Sequence, residues 1–209
     1  MLTAAQLLRG YARGVFPMAE SAGDPRLYWF DPPMRGILPI GGVHASRSLL
    51  RDLRKGPWSA RIDGDFGATV AACANRDETW INEPLTDLYH QLHEQGHAHA
   101  LDIYQDGVFA GGIFGVTLGA AFFGESMMSA RKNGSKMALL WLSNHLARCG
   151  YQLFDTQFLT PHLARMGGIE ITRMQYLRRL DAAITVRADF TAHGLPDNDQ
   201  LWQEITQTS

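Results

Sequence analysis

The segment from residue 100 to residue 126 constrains the fold more than any other part of the chain. Asp106-Gly107, flanked by ALDIYQ and VFAGGIFGVTLG, is typical of the turn of a β-hairpin, and AAFFGES continues the sheet after a second glycine turn. The following segments predict, in order, a helix (SKMALLWLSNHLARCG, capped by Ser135), a strand (YQLFDTQ), a short helix from Pro161, and a terminal strand and helix (IEITRMQYLRRL). An antiparallel meander followed by alternating helices and strands predicts an α+β fold with a mixed sheet.

The first 39 residues predict one short helix and a proline-rich segment in place of a β-meander. Thr3 caps an amphipathic helix that Gly14 is placed to end. From Phe16 to Pro39, prolines alternate with aromatic residues, which predicts an ordered, non-repetitive segment rather than a flexible linker. We therefore predict a small N-terminal domain over residues 1–33 and a main domain over residues 34–209. The main domain opens with a helix at 46–55, a strand at 58–62 and helices at 66–74 and 83–95.

Length and composition indicate an ordinary globular protein. The chain has 209 residues, of which 45% are hydrophobic and 19% charged, enough for one substantial core. No apolar run approaches the roughly eighteen residues of a membrane span, and the N-terminus lacks the order of a signal peptide, so we expect a cytoplasmic protein with no membrane association. Cys73 and Cys149 lie in separate apolar helical patterns, which favours core positions over a disulfide or a zinc site.

Charge gives no overall attraction to nucleic acid, because the net charge is -2 and the isoelectric point is near 6.4. One local surface is basic. After the predicted cap Ser46, the cationic residues fall at spacings that share one helix face; they are Arg47, Arg51, Arg54 and Lys55. Such a face is either simply solvated or a contact for an RNA backbone, and the spacing alone leaves both interpretations open.

Polar residues near the predicted strand ends are the candidates for chemistry. Glu125 lies at the end of one strand, and Asp155 and Gln157 lie at the end of the strand after the long helix. Neighbouring strand ends are where clefts open in a mixed sheet, so these three side chains are expected to be able to meet, although roles as helix caps or turn partners remain open.

Three other motifs give weaker signals. Ser126 is not a GxSxG nucleophile, because Met128 occupies the second glycine position. His90, His93 and His97 fall near one helix face, but no cysteine or acidic partner completes a metal set. The loop 131–136 resembles the phosphate loop of GNAT acetyltransferases, except that its last residue is a lysine where that family needs a small residue. This indicates a related architecture and counts against acetyl-CoA as cofactor.

Several long strings resemble the leucyl/phenylalanyl-tRNA-protein transferase family over nearly the whole chain. They are YARGVFPM from 11, YWFDPPMRGILP from 28, TWI from 79, YHQLHEQGHAHALDIY from 89, GGIFGV from 111, FFGESMMS from 122 and LFDTQFLTPHLARMG from 153. The resemblance implies a small N-terminal domain followed by a GNAT-like mixed-sheet domain. It also implies a transferase that uses charged tRNA.

The resemblance also implies roles for individual residues. Asp155 and Gln157 match the catalytic D-x-Q of the family, and Glu125 matches the acid of its G-E-S string. Tyr11, Trp80 and Tyr89 match the aromatic positions that surround the 3′ adenosine and the acceptor peptide in the family. The positions of the apolar pocket for the transferred side chain are matched by Ile113, Phe114 and Met127. Met18 departs from the family, whose better-known members carry tryptophan there in an F-P-W string. We hypothesise that Gln157 orients the attacking amine, while Asp155 holds Gln157 and stabilises developing positive charge. Substrate-assisted proton transfer through the tRNA ribose stays open as an alternative.

The implied activity is the transfer of leucine, also phenylalanine and less readily methionine, from charged tRNA to the N-terminal amine of proteins that begin with lysine or arginine. That transfer marks the acceptors for N-end rule degradation. The expected partners are leucyl-tRNA, phenylalanyl-tRNA and these acceptors; no cofactor or metal is expected, because the ester is already activated, and we expect a monomer. Two alternatives stay open, an acetyltransferase that uses acetyl-CoA and a non-catalytic module that binds RNA or peptides.

Overall fold

A computed structural model describes residues 2–76 and 78–207 of the chain. The helices in this part are α1 (Ala4–Ala12), α2 (Arg47–Lys55), α3 (Phe66–Ala74), α4 (Glu83–Glu94), α5 (Gly134–Arg148), α6 (Pro161–Arg165), α7 (Arg173–Ile184) and α8 (Asn198–Gln207). The strands are β1 (Phe16–Met18), β2 (Tyr28–Phe30), β3 (Met34–Ile37), β4 (Trp58–Ile62), β5 (Ala98–Gln105), β6 (Val108–Leu118), β7 (Ala121–Ser129), β8 (Leu153–Gln157) and β9 (Ile169–Thr172). The predicted α+β fold is confirmed.

The main sheet is mixed, as the sequence predicted. Its seven strands run in the order β4-β5-β6-β7-β8-β3-β9, and β4 to β7 form the antiparallel meander. Asp106 and Gly107 both have positive φ, 53° and 72°, as the tight turn between β5 and β6 requires. Strand β8 is parallel to β7, but their pairing ends at Phe123 and Asp155. Beyond that point the two strands part, which opens one end of the sheet.

The proline-rich segment is ordered, as predicted, but the expectation of a non-repetitive structure is wrong. It contains the two-stranded sheet of β1 and β2 and also β3, which lies between β8 and β9 in the main sheet. The strand pattern of β3 is obscured in the sequence because Arg35, in its middle, is buried with only 1% of its surface exposed. A buried arginine needs a paired acid, and that partner lies far along the chain.

Helix α5 begins earlier than predicted. Its N-cap is Asn133, in the left-handed conformation at φ 67°, and Ser135 is already inside the helix, so the predicted Ser135 cap is wrong. Gly134 allows this start, since a Cβ there would lie 2.0 Å from the Ala110 carbonyl oxygen. The strand and helix predicted as terminal are β9 and α7, and α8 follows them.

Two hydrophobic clusters cover the two faces of the main sheet. Cys73 lies in the cluster under α1, α3, α4 and α7, and Cys149 lies in the cluster under α2, α5 and α8, so both cysteines are free core residues as predicted. Helix α1 packs on α4 and α7, which brings the N-terminal segment against the main sheet. Within the described residues, no helix combines the length and apolarity needed to cross a bilayer.

Candidate active site

A cavity of about 570 Å³ opens where β7 and β8 part. One wall is the second half of β7, and the other is the end of β8 with the start of α6. The lining residues are Phe16, Met18, Ala72, Asn75, Arg76, Trp80, Ile113, Gly124, Glu125, Ser126, Met127, Met128, Ser129, Ser135, Phe154, Thr156, Gln157, Phe158, Thr160, His162 and Leu163. The cavity therefore joins an apolar wall to a small set of polar side chains, which is the usual make-up of a ligand site.

Both strands that part at this cavity carry a β-bulge. In β7, Phe114 pairs with Ser126 and Gly115 with Gly124, which leaves Glu125 as the extra residue. In β8, the pairing with β3 skips Thr156 in the same way. The prediction that Glu125 lies at the end of its strand is wrong, because β7 continues to Ser129. A bulge re-aims a side chain while the strand goes on, so Glu125 reaches the cavity from the middle of β7.

Glu125 is a buried carboxylate held by two tyrosine hydroxyls. Tyr11 donates to Oε1 at 2.7 Å, and Tyr89 donates to Oε2 at 2.8 Å. Burial raises the pKa of Glu125 to about 7, although the two hydrogen bonds oppose the shift. A cation that entered the cavity would favour the charged form of this carboxyl group.

Asp155 lies behind the cavity wall, and its two oxygens are fully engaged. Arg35 donates from Nε to Oδ1 at 2.9 Å and from Nη2 to Oδ2 at 2.6 Å, and the Tyr176 hydroxyl donates to Oδ2 at 2.8 Å. The Gln157 backbone N–H donates to Oδ1 at 2.8 Å. Asp155 has no exposed surface and does not line the cavity, so its direct effect is on the position of Gln157.

Gln157 is the polar group at the tip of β8. Its backbone is left-handed, with φ at 57°, a conformation that costs a residue with a side chain and that the Asp155 hydrogen bond stabilises. Its side-chain amide nitrogen donates to the Gly124 carbonyl at 2.8 Å, which spans the gap between β8 and β7. Gln157 and Glu125 therefore line one cavity from its two opposite strands, as the sequence led us to expect.

The other expected substrate-binding residues fall into two groups. Met18, Trp80, Ile113 and Met127 line the cavity and supply most of its apolar surface. Tyr11, Tyr89 and Phe114 do not line it and are fully buried. The tyrosines form the support of Glu125, while Phe114 packs edge-on against Tyr89, with ring centroids 5.1 Å apart.

The basic face of α2 is exposed, while Leu49 and Leu53 on the opposite side are buried. Ser46 caps this helix as predicted. The face carries Arg47, Arg51, Arg54 and Lys55, of which Arg54 also packs over the Trp202 ring at 4.9 Å. The loop before α5 joins this region to the cavity, because Asn133 donates to Asp52 of α2 at 2.7 Å and Ser135 lines the cavity.

Sequence reasoning assigned no role to four residues that the structure brings to this site. Arg35 and Tyr176 hold Asp155 from behind, and Thr156 and His162 line the cavity. Three of the four lie in or beside strings that carry the family resemblance, but their types alone do not show which partner they meet. Only the fold reveals it, because Arg35 and Tyr176 are separated by 141 residues.

The histidines near the end of α4 are engaged in ordinary contacts. His93 Nδ1 lies 2.8 Å from the Ala98 carbonyl, His97 Nδ1 lies 3.2 Å from the Thr117 carbonyl, and His99 Nδ1 lies 2.8 Å from an Asp63 carboxylate oxygen. Within residues 2–76 and 78–207, no three histidine, cysteine or acidic side chains converge in a way that would hold a metal ion. Ser126 is contacted by Arg76, at 3.2 Å.

Comparisons with known proteins agree with these features. The family model for leucyl/phenylalanyl-tRNA protein transferase matches residues 37–181, and the model for the N-terminal domain of the same family matches residues 1–33. A relative of that name from Paracoccus denitrificans is 61% identical, and the match covers 100% of this chain and 98% of the relative. A relative of the same name from Dinoroseobacter shibae is 55% identical, and that match covers 93% of this chain and 87% of the relative. These matches define the chain as an aminoacyltransferase. It belongs to the leucyl/phenylalanyl-tRNA protein transferase family.

One solved structure also overlaps with the chain. It is Mycobacterium smegmatis RimJ in complex with CoA-disulfide, 15% identical, with a TM-score of 0.30 over 77% of this chain and 97% of that one. A likeness at this level carries no argument about function.

Proposed function

We propose that this chain transfers leucine, phenylalanine and, less readily, methionine from charged tRNA to the N-terminal amine of proteins that begin with lysine or arginine. Such a transfer would mark the acceptors for N-end rule degradation. The observation that carries the proposal is the single cavity that joins an apolar wall to the buried carboxylate of Glu125. The relatives' shared name supports the choice of substrates.

The chemistry makes modest demands on the protein. The aminoacyl ester of charged tRNA is already activated, so an amine can attack it without ATP. An α-amine has a pKa near 7.7 to 8.0, and roughly a tenth of it is therefore neutral at pH 7. The enzyme has to hold the two substrates in line and accept one proton, and such positioning supplies a large part of the rate of an acyl transfer.

Gln157 is proposed to orient the attacking amine. An amide is too weakly basic to take the proton, but its oxygen is a suitable acceptor for one N–H of the incoming amine. Asp155 acts through Gln157 as a positioning residue, because its oxygens are engaged by Arg35, Tyr176 and the Gln157 backbone. Direct stabilisation of positive charge on the substrate by Asp155 is not part of the proposal, since this carboxylate has no surface in the cavity.

Glu125 is proposed to attract the cationic side chain of the acceptor's first residue. It contributes a carboxylate at the cavity wall whose pKa is near 7, and a lysine or arginine side chain beside it would hold it ionised. Tyr11 and Tyr89 fix its direction through one hydrogen bond to each oxygen. Acceptors that begin with a neutral residue lack this attraction.

The apolar wall is proposed to select the transferred amino acid. Ile113 and Met127 lie side by side on paired positions of β6 and β7, and both line the cavity. An apolar pocket discriminates by about 1 to 3 kcal/mol per methylene, which fits a graded acceptance of leucine, phenylalanine and methionine. Charged side chains are excluded because burying them would cost their hydration.

The tRNA body is proposed to lie along the basic face of α2. Its four cations are exposed, and the loop that opens α5 connects this face to the cavity. Contacts of this kind read the phosphate backbone rather than the sequence. The proposal also assigns the enzyme to the cytoplasm, where charged tRNA is found, and treats it as a monomer.

The test is a transfer assay with purified protein, radiolabelled leucyl-tRNA and a short peptide that begins with arginine, without CoA or ATP. We expect label to reach the peptide, and to be lost when the peptide's N-terminus is acetylated. Binding of the tRNA without transfer would instead support a non-catalytic module. Acetylation of the peptide when acetyl-CoA is supplied would support an acetyltransferase.

Two variants then test the assigned roles. Glu125→Gln should raise the KM of a peptide that begins with arginine at least tenfold, while a peptide that begins with alanine keeps its own low rate. Gln157→Ala should lower kcat and leave the affinity for tRNA within about twofold, because it removes orientation rather than binding. Equal losses of turnover and tRNA affinity in Gln157→Ala would contradict the division of roles.

A further inference from the structure

One face of the small sheet of β1 and β2 is continuous with the cavity wall. Directly paired residues of antiparallel strands project from the same face, and Phe16 pairs with Phe30 while Met18 pairs with Tyr28. Phe16 and Met18 on β1 line the cavity. The same face therefore continues from the cavity wall onto β2, where it carries Tyr28 and Phe30.

The opposite face of this sheet packs against α1. Trp29 projects from it, because side chains alternate along a strand. The Trp29 ring lies so close to Gly10 of α1 that no Cβ would fit at that glycine. On the first face, by contrast, Phe30 has 38% of its surface exposed and Tyr28 is partly exposed. The face that continues the cavity wall is thus open to a ligand.

Phe158 extends this face on β8, directly after Gln157. Its ring meets the Phe16 ring edge-on, with centroids 5.5 Å apart, and the Phe30 ring stacks on Phe16 at 5.9 Å and an angle of 19°. Phe158 lines the cavity, and 43% of its surface is exposed. The four rings that form this surface, here called the aromatic platform, are those of Phe16, Tyr28, Phe30 and Phe158.

An exposed cation lies beside the platform. The Arg26 guanidinium is positioned over the Tyr28 ring, 5.6 Å from its centroid. Arg26 pairs with Asp24, but 70% of the arginine side chain is exposed and only 11% of the aspartate side chain. Asp31, which follows β2, is paired with Arg173 at 2.6 Å. The platform therefore combines exposed ring faces with a guanidinium that an anionic backbone can reach.

This combination suits unpaired nucleotides. Bases stack on aromatic ring faces whatever their sequence, and arginines contact the phosphates between them. An extended peptide, by contrast, is held largely through hydrogen bonds to its backbone, which ring faces cannot supply. Charged tRNA ends in an unpaired CCA, and the cavity, at about 570 Å³, has the size of a site for one small ligand. The two cytidines before the terminal adenosine therefore have to lie outside it.

We propose that the aromatic platform binds these two cytidines of the tRNA 3′ end. Their bases stack on the exposed faces of Phe30 and Tyr28, and Arg26 contacts the phosphate backbone beside them. The platform contributes to the affinity for tRNA and takes no part in the chemistry of transfer. This inference rests on the proposed function.

The test measures how two small competitors inhibit the transfer of leucine from tRNA. The trinucleotide CCA contains the cytidines, and adenosine 5′-monophosphate lacks them. The inhibition constant of CCA should be at least about tenfold lower in wild-type enzyme, since each stacked base is expected to contribute about fivefold or more. Phe30→Leu, which keeps an apolar side chain without a flat ring, should raise the inhibition constant of CCA about fivefold or more and leave that of the monophosphate within about twofold.

Two further variants separate stacking from a structural effect. Phe30→Tyr keeps the ring and should retain the wild-type inhibition constant of CCA. Trp29→Leu is the matched control, because Trp29 is an exposed aromatic residue of the same strand on the opposite face. It should leave both inhibition constants within about twofold of the wild-type values.

Three results would overturn the proposal while leaving the transferase function intact. One is a CCA trinucleotide that inhibits wild-type enzyme no better than the monophosphate. Another is an equal loss for both competitors in Phe30→Leu. The third is a Phe30→Leu enzyme in which only the KM of the acceptor peptide rises, since the platform would then hold the acceptor. A wild-type enzyme that transfers no leucine from tRNA would overturn both the proposal and the proposed function.

Discussion

Arg35 and Asp155, 120 residues apart in the sequence, form a two-point ion pair inside the protein, with only 2% and 0% of their side chains exposed. The guanidinium is also sandwiched between the rings of Phe16 and Tyr176, with distances of 4.4 and 4.3 Å to the ring centroids, and it donates to the Gly14 carbonyl. This pair links the N-terminal segment, β3, β8 and α7 at one point behind the cavity. Gln157 is held on the cavity side of the same carboxylate.

Replacing Arg35 should therefore be costly for stability. Arg35→Met leaves a buried carboxylate with no cation, a change that usually costs about 3–5 kcal/mol. The exposed pair of Arg173 and Asp31, with 46% and 39% of the side chains exposed, is the matched control, and Arg173→Met should cost less than about 1 kcal/mol. Urea unfolding of the two variants checks both values. Similar small losses in the two would mean that the buried pair is not essential for folding.

Glu125 should make stability depend on pH in a defined direction. Its folded pKa, about 7, lies above the ordinary value of 4.5, so the folded state binds the proton more tightly than the unfolded state. The stability that the folded state gains from this tighter proton binding is fully present below pH 4.5 and is lost as the pH rises to 7. Over that window wild-type protein should lose on the order of 3 kcal/mol relative to Glu125→Gln.

The measurement for Glu125 is the free energy of unfolding of both proteins at several pH values between 4.5 and 8. Glu170→Gln, at an exposed position of β9, is the control and should change stability by less than about 0.5 kcal/mol. A difference between wild type and Glu125→Gln that stays constant over the window would argue against the raised pKa.

Met18 offers a gain-of-affinity prediction. It lines the cavity with Trp80, and a tryptophan at this position would add an aromatic face for an unpaired base. Stacking on an aromatic side chain is worth about 1–3 kcal/mol per base, so Met18→Trp should lower the KM for leucyl-tRNA about tenfold. Met34→Trp, at an exposed position outside the cavity, should leave that KM unchanged. An unaltered KM in Met18→Trp would show that no base stacks there.

The salt dependence of tRNA binding tests the basic face of α2. Each phosphate contact contributes about -0.9 on B-DNA, and about -0.7 on single strands, to the slope of log affinity against log salt concentration. Arg47→Gln with Arg51→Gln should therefore make that slope shallower by about 1.4 to 1.8 units for tRNA binding. The control pair Arg178→Gln with Arg179→Gln, exposed on α7, should leave the slope as it is. An identical slope in both double variants would remove α2 from the tRNA contact.

Local sequence patterns predicted most of the main sheet. The Asp106-Gly107 turn and the flanking alternation are short-range signals, and they predicted the β5–β6 hairpin correctly. The start of α5 was misjudged because Ser135 is a good cap in isolation, whereas the close approach of Gly134 to Ala110 decides the true start. Such a contact between distant segments leaves no mark in local sequence.

The site was predictable in its parts but not in its arrangement. Glu125, Asp155 and Gln157 stood out as polar groups in apolar surroundings, and the fold brings Glu125 and Gln157 to one cavity. The bulge at Glu125 had one local signal, the glycine at 124 inside a strand. The burial of Asp155 behind the wall was not foreseeable, because it depends on Arg35 and Tyr176 from two other elements.

The long sequence separation within the Asp155 cluster has a consequence for biosynthesis. Arg35 leaves the ribosome 141 residues before Tyr176, with which it shares a hydrogen bond, and at common elongation rates of about 5–20 residues per second this gap lasts roughly 7 to 28 s. The guanidinium has no acid to meet until Asp155 follows, 120 residues after Arg35, and β3 cannot take its place until both β8 and β9 have been made. The Asp155 cluster behind the cavity can therefore be completed only after residue 176 has been made, and a nascent chain that stalls before Tyr176 cannot complete it.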